Sequence, residues 1–92
     1  MKSALLNLRN VGKATYEDLT KLKINSVEEL AKADPDELYL RIQKITRSKH
    51  DPCVWDVFAS IIHEAKKGIK TPWWEWSKVR KKRQAKGIFI KS

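Results

Sequence analysis

Four consecutive residues near the start of the chain could bind a phosphate group. Asn10, Val11 and Gly12 form a predicted bend, and Lys13 begins a predicted helix. Asparagine and glycine tolerate a left-handed backbone, and a left-handed Gly12 would approach a phosphate closely and be strained by a larger residue. The first N–H groups of the helix would lack intrahelical partners and carry the positive end of its dipole. With the charge of Lys13 they predict a phosphate site, whereas the alternative is a turn that only joins two packed helices.

The basic C-terminal end is a second candidate for phosphate binding. The 92 residues carry a net charge of +9, and no acidic residue lies between Lys78 and Ser92. Such a cluster attracts a polyanion, because neutralised phosphates release their counterions. The basic residues there are Lys78, Arg80, Lys81, Lys82, Arg83, Lys86 and Lys91. We therefore predict a helical domain over 1–77 and a basic tail over 78–92, the alternative being a tail that only aids solubility.

Cys53, His50 and His63 are the candidates for enzyme or metal chemistry. Cys53 lies near a predicted helix start, where the dipole can lower the pKa of a thiol. A zinc site needs about four ligands, or three and a water, and helical phase places His63 beside Asp56 and Ser60 on the polar side of its helix. The paired acidic residues all lie near first helical turns, where they stabilise the dipole. We expect no catalysis, no metal and no cofactor; a thiol enzyme at Cys53 is the least favoured alternative.

Three of the four tryptophans lie within Trp73–Trp76. On a helix, Trp73 and Trp76 share a face and Trp74 points elsewhere. Large aromatic side chains contribute much buried area to a small core, and we favour that interpretation. The alternative is a platform on which unpaired bases stack beside the basic tail.

Helices must position these residues, since no strand pattern is present. Two short helices, Ser3–Leu8 and Lys13–Leu22, are predicted to flank the bend, with the leucines at the end of the second facing inward. Ser26 is the predicted N-cap of a brief third helix. Asp34 caps a fourth helix that ends near Thr46. Its predicted inward residues are Leu38, Ile42 and Ile45.

The longest predicted helix begins at Asp51-Pro52 and stops at Gly68. Its apolar residues follow the spacing of a wide buried face, so this helix is the predicted centre of the core. A further helix begins after Thr71-Pro72. The chain has one cysteine, so no intramolecular disulfide is possible, and no stretch approaches the roughly 20 apolar residues of a membrane span. We expect a cytoplasmic protein without a membrane partner.

Several segments resemble the pathogenicity-locus family, short bacterial proteins of which some are named mitomycin resistance protein. The resemblance extends over about residues 4–78. It is carried by the hairpin, which consists of the bend Asn10-Val11-Gly12 and its two flanking helices, and by the segments KINSVEELAKADPDELY, DPCVWDVFASIIHEA and PWWEWSK. More distantly, the N-terminal half is similar to the C-terminal domain of TfoX-type competence regulators. The resemblance implies a compact all-helical fold and a DNA-associated role, in a DNA-damage or competence-related context. It implies no defined biochemical activity.

These observations predict an all-α protein, a compact bundle of five or six short helices built on a helix-hairpin-helix unit. The predicted function is sequence-nonspecific binding of nucleic acid, with DNA favoured, through the hairpin amides and the basic tail. The alternative is a protein–protein interaction module with a structural hairpin and a Trp-rich docking surface. The choice between DNA and RNA, the need for a protein partner and the oligomeric state stay open.

Overall fold

The computed structural model of the protein describes residues 4–48 and 50–87. No strand occurs within these two ranges, and the predicted all-α fold is confirmed. The short first helix predicted over Ser3–Leu8 is a 3-10 helix of four residues; Ser3 lies outside the described residues. Five α-helices follow it within the described ranges. The elements are the 3-10 helix Ala4–Asn7, α1 Lys13–Lys21, α2 Val27–Ala31, α3 Pro35–Thr46, α4 Cys53–Lys67 and α5 Trp73–Ala85.

Side-chain caps fix two of the predicted helix starts. The Ser26 hydroxyl accepts a hydrogen bond from the Glu29 N–H at 3.1 Å, and Asp34 Oδ1 accepts one from the Asp36 N–H at 2.9 Å. Each bond satisfies an N–H group that a helix start otherwise leaves unpaired. At the other end of the bundle, α4 stops at Gly68, which has the left-handed φ of 71° that glycine adopts without strain.

The core forms around α4, which α2, α3 and α5 all contact. Phe58 and Ile61 of α4 are almost fully buried, as are Leu19 and Leu22 at the end of α1. The inward faces predicted for these two helices are therefore confirmed. Burial of this apolar surface is the dominant favourable contribution to folding. The buried hydrophobic residues are Leu5, Val11, Leu19, Leu22, Ile24, Leu30, Leu38, Tyr39, Ile42, Trp55, Phe58, Ala59, Ile61 and Ile62.

The predicted inward face of α3 is wrong at one position. Ile45 is 48% exposed, whereas Tyr39 and Gln43 are buried. The connector to α4 explains the difference, because Tyr39 Oη donates to the His50 carbonyl oxygen at 2.7 Å and Gln43 Oε1 accepts from the His50 N–H at 2.9 Å. These bonds turn α3 so that its polar Gln43 faces inward and Ile45 faces solvent.

The polar side of α4 is also buried, although its residue types predict a solvated surface. Asp56, Ser60 and Glu64 follow one another at intervals of four residues, so they lie on one helical face. Asp56 is fully buried, Ser60 is 1% exposed and Glu64 is 7% exposed. Buried polar groups destabilise a fold unless they are hydrogen-bonded. The partners of these three side chains come from the two ends of the chain.

Candidate nucleic-acid interface

The predicted bend is held against α4 by hydrogen bonds from its own residues. The Arg9 N–H donates to Glu64 Oε1 at 3.0 Å. The Asn10 side-chain amide donates to Ser60 Oγ at 3.0 Å and to the Thr71 carbonyl oxygen at 2.8 Å. The side chain of Asn10 therefore positions the bend beside the segment that precedes α5.

Gly12 does not have the left-handed backbone considered for it. Its φ of −96° and ψ of −171° are extended, and no atom lies within 4 Å of the place where a Cβ would be. The prediction that a larger residue at Gly12 would strain the backbone is therefore wrong. The bend needs no positive φ, because the side chain of Asn10 and the buried Val11 already fix it.

The start of α1 is open to solvent. Gly12 is the N-cap and provides no side-chain hydrogen bond, whereas the N-caps of α2 and α3 each provide one. Gly12, Lys13 and Ala14 are all exposed. The first N–H groups of α1 and the positive end of its dipole are thus accessible to an anion, and the Lys13 ammonium adds a full charge.

Arg80 belongs to the predicted basic tail, yet its side chain is buried between α5 and α4. Its Nε donates to Asp56 Oδ1 at 2.9 Å, and the Ser77 hydroxyl donates to Asp56 Oδ2 at 2.5 Å. Arg80 is 8% exposed and Asp56 is fully buried. The hydrogen bond to Asp56 raises the pKa of Arg80, so the guanidinium remains charged at physiological pH. Arg80 thus neutralises a charge inside the protein.

Arg83 makes a second ion pair on the same side of α5. Its two terminal nitrogens donate to both carboxylate oxygens of Asp36, at 3.1 and 2.8 Å. The guanidinium also lies 5.2 Å from the centre of the Trp55 ring, and Trp55 Nε1 donates to Asp36 Oδ1 at 2.7 Å. Hydrogen bonding to Arg83 lowers the pKa of Asp36. This bidentate pair connects the end of α5 to the start of α3.

The boundary predicted between residues 77 and 78 therefore falls inside α5. Residues 78–85 continue the helix that begins at Trp73, and this helix packs on α4. The physical reason is that Arg80 and Arg83 return to the inner side of α5, where acidic residues of α3 and α4 receive them. Lys91 of the predicted tail lies outside the described residues.

Three further lysines of the predicted tail lie on the outer side of α5. Lys78, Lys81 and Lys82 follow Trp74 by four, seven and eight residues, so all four share one helical face. Trp74 is 56% exposed and the lysines are exposed. None of these lysines forms an ion pair within the two described ranges. At 1.5 Å per residue, the face from Trp74 to Lys82 is about 12 Å long. We call these four residues the outer face of α5.

The other two tryptophans of the cluster are half-buried. Trp76 packs against the hydrophobic core, and its Nε1 donates to Thr71 Oγ1 at 3.0 Å. The Trp73 ring meets the Trp74 ring edge-on, with 5.9 Å between the ring centres. The favoured core-packing interpretation therefore holds for Trp76 alone, since Trp74 faces solvent and Trp73 contacts Trp74.

The environment of Cys53 is unfavourable for a thiolate. A hydrogen bond with Asp51 is the main cause of a raised pKa of Cys53, with burial second. The lowered pKa considered for this helix start is therefore wrong, because the Asp51 hydrogen bond and burial both favour the neutral thiol. His50 Nε2 is hydrogen-bonded to Thr46 Oγ1 at 2.9 Å, and the His63 ring contacts the Trp76 ring. Among the residues that the structure describes, no three of the side chains that bind metals form a cluster.

Comparison with known proteins supplies the family. The profile of the pathogenicity locus family matches residues 2–82, most of the chain. The chain belongs to this family. A relative in Streptomyces lavendulae, named mitomycin resistance protein McrB, is 31% identical over 80 residues, which span 87% of this chain and 76% of the relative. No solved structure matches the chain.

The match to the pathogenicity locus family extends further than the motifs in the sequence indicated. It continues past residue 78 to residue 82 and so includes Arg80 and three lysines of α5. The family match therefore covers most of the basic part of α5, both the residues in ion pairs and the free lysines.

In the described parts of the chain, no helix has both the length and the apolar character needed to cross a membrane.

Sequence reasoning missed the acidic partners of α5. It places Asp56 on the polar side of α4, and Asp36 only at a helix start. The spacing of Asp56, Ser60 and Glu64 was a signal for Asp56. Small or acidic side chains recur there every four residues, beside a wide apolar face. Such a repeat is compatible with a second packing surface. No pattern within the sequence indicated that Arg83 would pair with Asp36, which lies 47 residues earlier.

Proposed function

We propose that this protein binds nucleic acid through the phosphate backbone without sequence specificity, with DNA as the favoured partner. The observation that supports the proposal is the outer face of α5. Its three lysines are exposed and free of ion pairs in the described structure, while the nearby arginines already neutralise acidic residues. Lysines of this kind release counterions when they neutralise phosphates, which is the main source of nonspecific affinity.

Trp74 adds a group that a purely electrostatic surface would not need. An exposed indole in line with lysines offers a stacking platform for an unpaired base, and such stacking tolerates any sequence. The open start of α1 is a second phosphate contact in this proposal, and the bend before it functions as a helix-hairpin-helix turn. The bond between Asn10 and the Thr71 carbonyl oxygen holds that bend close to the beginning of α5.

We further infer that the protein acts by binding and not by catalysis. The raised pKa of Cys53 argues against a thiol nucleophile at neutral pH. The name of the Streptomyces relative associates that protein with mitomycin resistance. For this chain, a cytoplasmic location and a role in DNA damage or competence are parts of the same proposal.

The proposal is tested by titrating the protein with single- and double-stranded DNA and RNA at two salt concentrations. The parent should lose affinity steeply as salt rises. Replacing Lys78, Lys81 and Lys82 together by glutamine should leave three phosphates without a neutralising charge. The slope of log affinity against log salt should then fall by about 0.9 for each such phosphate on duplex DNA, or by about 0.7 on a single strand.

A matched variant separates this surface from the effect of total charge. Lys21, Lys32 and Lys44 are exposed residues away from α5, and their replacement by glutamine removes the same net charge. This control should retain most of the affinity and slope of the parent. Equal losses of affinity in the two triple variants would contradict a specific role for the outer face of α5.

A protein-interaction module is the second candidate, and exposed apolar side chains support it. Leu40 is 40% exposed and borders a surface hollow of about 540 Å³ along α3, which Gln43, Lys44 and Arg47 also line. Trp74 provides a further apolar contact. An interface of this kind would show little dependence on salt, in contrast to phosphate binding. Absence of nucleic-acid binding at low salt would favour this function.

A further inference from the structure

A small aromatic pocket lies where the starts of α3 and α5 meet the middle of α4. It has a volume of about 180 Å³, and its lining includes Pro35, Ala59, His63, Lys66 and Trp76. Trp55, which contacts the Arg83–Asp36 ion pair, also lines this pocket, whereas none of the four residues of the outer face of α5 does. It is distinct from the surface hollow along α3, with which it shares no residue.

Two rings form the fixed corner of the pocket. The Trp76 ring is oriented by the bond from its Nε1 to Thr71 Oγ1. The His63 ring meets it edge-on at 60°, with 5.3 Å between the ring centres. Rings held at a fixed angle provide one face for stacking and one edge for contact. The corner is therefore prearranged for a flat group.

The base of the pocket is apolar and contains a small residue. Ala59 and Ile62 are each 4% exposed and line the pocket from α4. Because Ala59 carries only a methyl group, it leaves space that a longer side chain would fill. At about 180 Å³ the pocket is smaller than the ~300–1,000 Å³ typical of drug-sized ligands. It suits one flat ring system.

The charges near the pocket favour a ligand with an attached anion. Lys66 is exposed and belongs to the pocket lining, where it lies one helical turn after Ile62. On the α3 side, the charge of Asp36 is compensated by Arg83. Asp34 is exposed next to Pro35, so an anion should enter from the Lys66 side.

We propose that this pocket accepts one unpaired nucleobase of a bound single strand. The base inserts against the Trp76 ring, and the adjoining phosphate contacts Lys66. This inference rests on the proposed nucleic-acid binding and specifies it: the protein prefers single strands, because a base within a duplex cannot enter without unpairing. Stacking on an aromatic ring is independent of sequence, in agreement with nonspecific binding.

The first test changes the ligand and leaves the protein unaltered. An oligothymidylate is compared with an oligonucleotide of equal length and charge that consists of abasic residues. The abasic strand should bind about tenfold more weakly, since it keeps the phosphates and cannot stack. Equal affinities would overturn the inference while leaving the proposed phosphate binding intact. If neither strand binds at low salt, the proposed function fails and the inference fails with it.

The second test assigns the stacking to this pocket. Trp76→Leu should remove most of the difference between the two strands, and Lys66→Gln should weaken both strands about equally. Trp73→Leu is the matched control, because it removes an indole of the same helix that does not line the pocket; most of the difference between the strands should persist. A difference that survives Trp76→Leu undiminished, or that disappears with Trp73→Leu, would overturn the inference. His63→Ala provides a second variant of the pocket if Trp76→Leu is not folded by circular dichroism.

Discussion

The two sides of α5 carry the same kind of residue for opposite purposes. On the inner side, Arg80 and Arg83 lie against carboxylates of α4 and α3 and hold the helix to the bundle. On the outer side, Lys78, Lys81 and Lys82 face solvent. Arginine suits the inner role because its planar guanidinium forms several directed hydrogen bonds, whereas lysine is a strongly hydrated point charge. The number of basic residues in a segment can therefore exceed the number of positive charges that are available to a partner.

This comparison also changes how the basic end should be dissected. Removing everything after Ser77 would delete Arg80 together with the lysines and leave the Asp56 carboxylate buried without its partner. Loss of nucleic-acid binding in such a truncated protein would not distinguish a missing phosphate-binding residue from a missing helix. Substitutions on one side of α5 at a time avoid this ambiguity.

The largest effect should come from the inner side. Arg80→Ala should lower the free energy of unfolding by about 3–5 kcal/mol, because it leaves a buried carboxylate unpaired. Lys81→Ala, one residue further on, should change it by less than about 0.5 kcal/mol. Urea denaturation followed by circular dichroism measures both values. Similar small changes in the two variants would show that the Arg80 pair does not stabilise the fold.

A double variant sharpens this result. Arg80→Met combined with Asp56→Leu should recover part of the stability lost in Arg80→Ala, because no charge is then left alone in the interior. Ser77 loses its acceptor in the double variant, so recovery should be incomplete. A double variant less stable than Arg80→Ala would show that the ion pair contributes more to the free energy of unfolding than the mutual neutralisation of its two charges.

A smaller effect should appear in the pH dependence of the Arg83 pair. Because the pKa of Asp36 is lowered in the folded protein, its pair stabilises the fold above the pKa of an unfolded aspartate, about 4. The contribution is lost as pH falls through the lower folded pKa. The stability difference between the parent and Arg83→Gln should be constant from pH 7 to pH 5 and shrink below about pH 4. A difference unchanged at pH 2 would contradict a role for the Asp36 charge.

The smallest expected effect concerns the start of α1. Gly12→Asn and Gly12→Asp should each raise stability by a few tenths of a kcal/mol, because their side chains can cap the N–H groups that Gly12 leaves open. If those groups contact a phosphate, both variants should weaken DNA binding, and the charged aspartate should weaken it more. Normal affinity in both variants would restrict the interface to α5.

The elements of the fold were predictable because their signals are local. Ser26 and Asp34 cap the helices that their positions predicted, and the apolar spacing around Phe58 identified the centre of the core. The outward turn of Ile45 was not predictable, since it depends on hydrogen bonds that the connector makes with α3. The division of basic residues between the sides of α5 likewise depends on distant acidic partners. Periodicity indicates which residues share a face, but not which face meets a neighbour.

The buried polar side of α4 has a consequence for the order in which the chain folds. The bend at Arg9 and Asn10 is synthesised early, yet its partners Ser60, Glu64 and Thr71 follow it by 50 to 61 residues. During synthesis the hydrogen bonds that hold the bend therefore cannot form until nearly the whole domain has left the ribosome. Hydrogen exchange on stalled nascent chains should detect protection at the Arg9 amide only in chains that extend well beyond Thr71. The bend is therefore synthesised before the five described α-helices and is among the last parts of the domain to be completed.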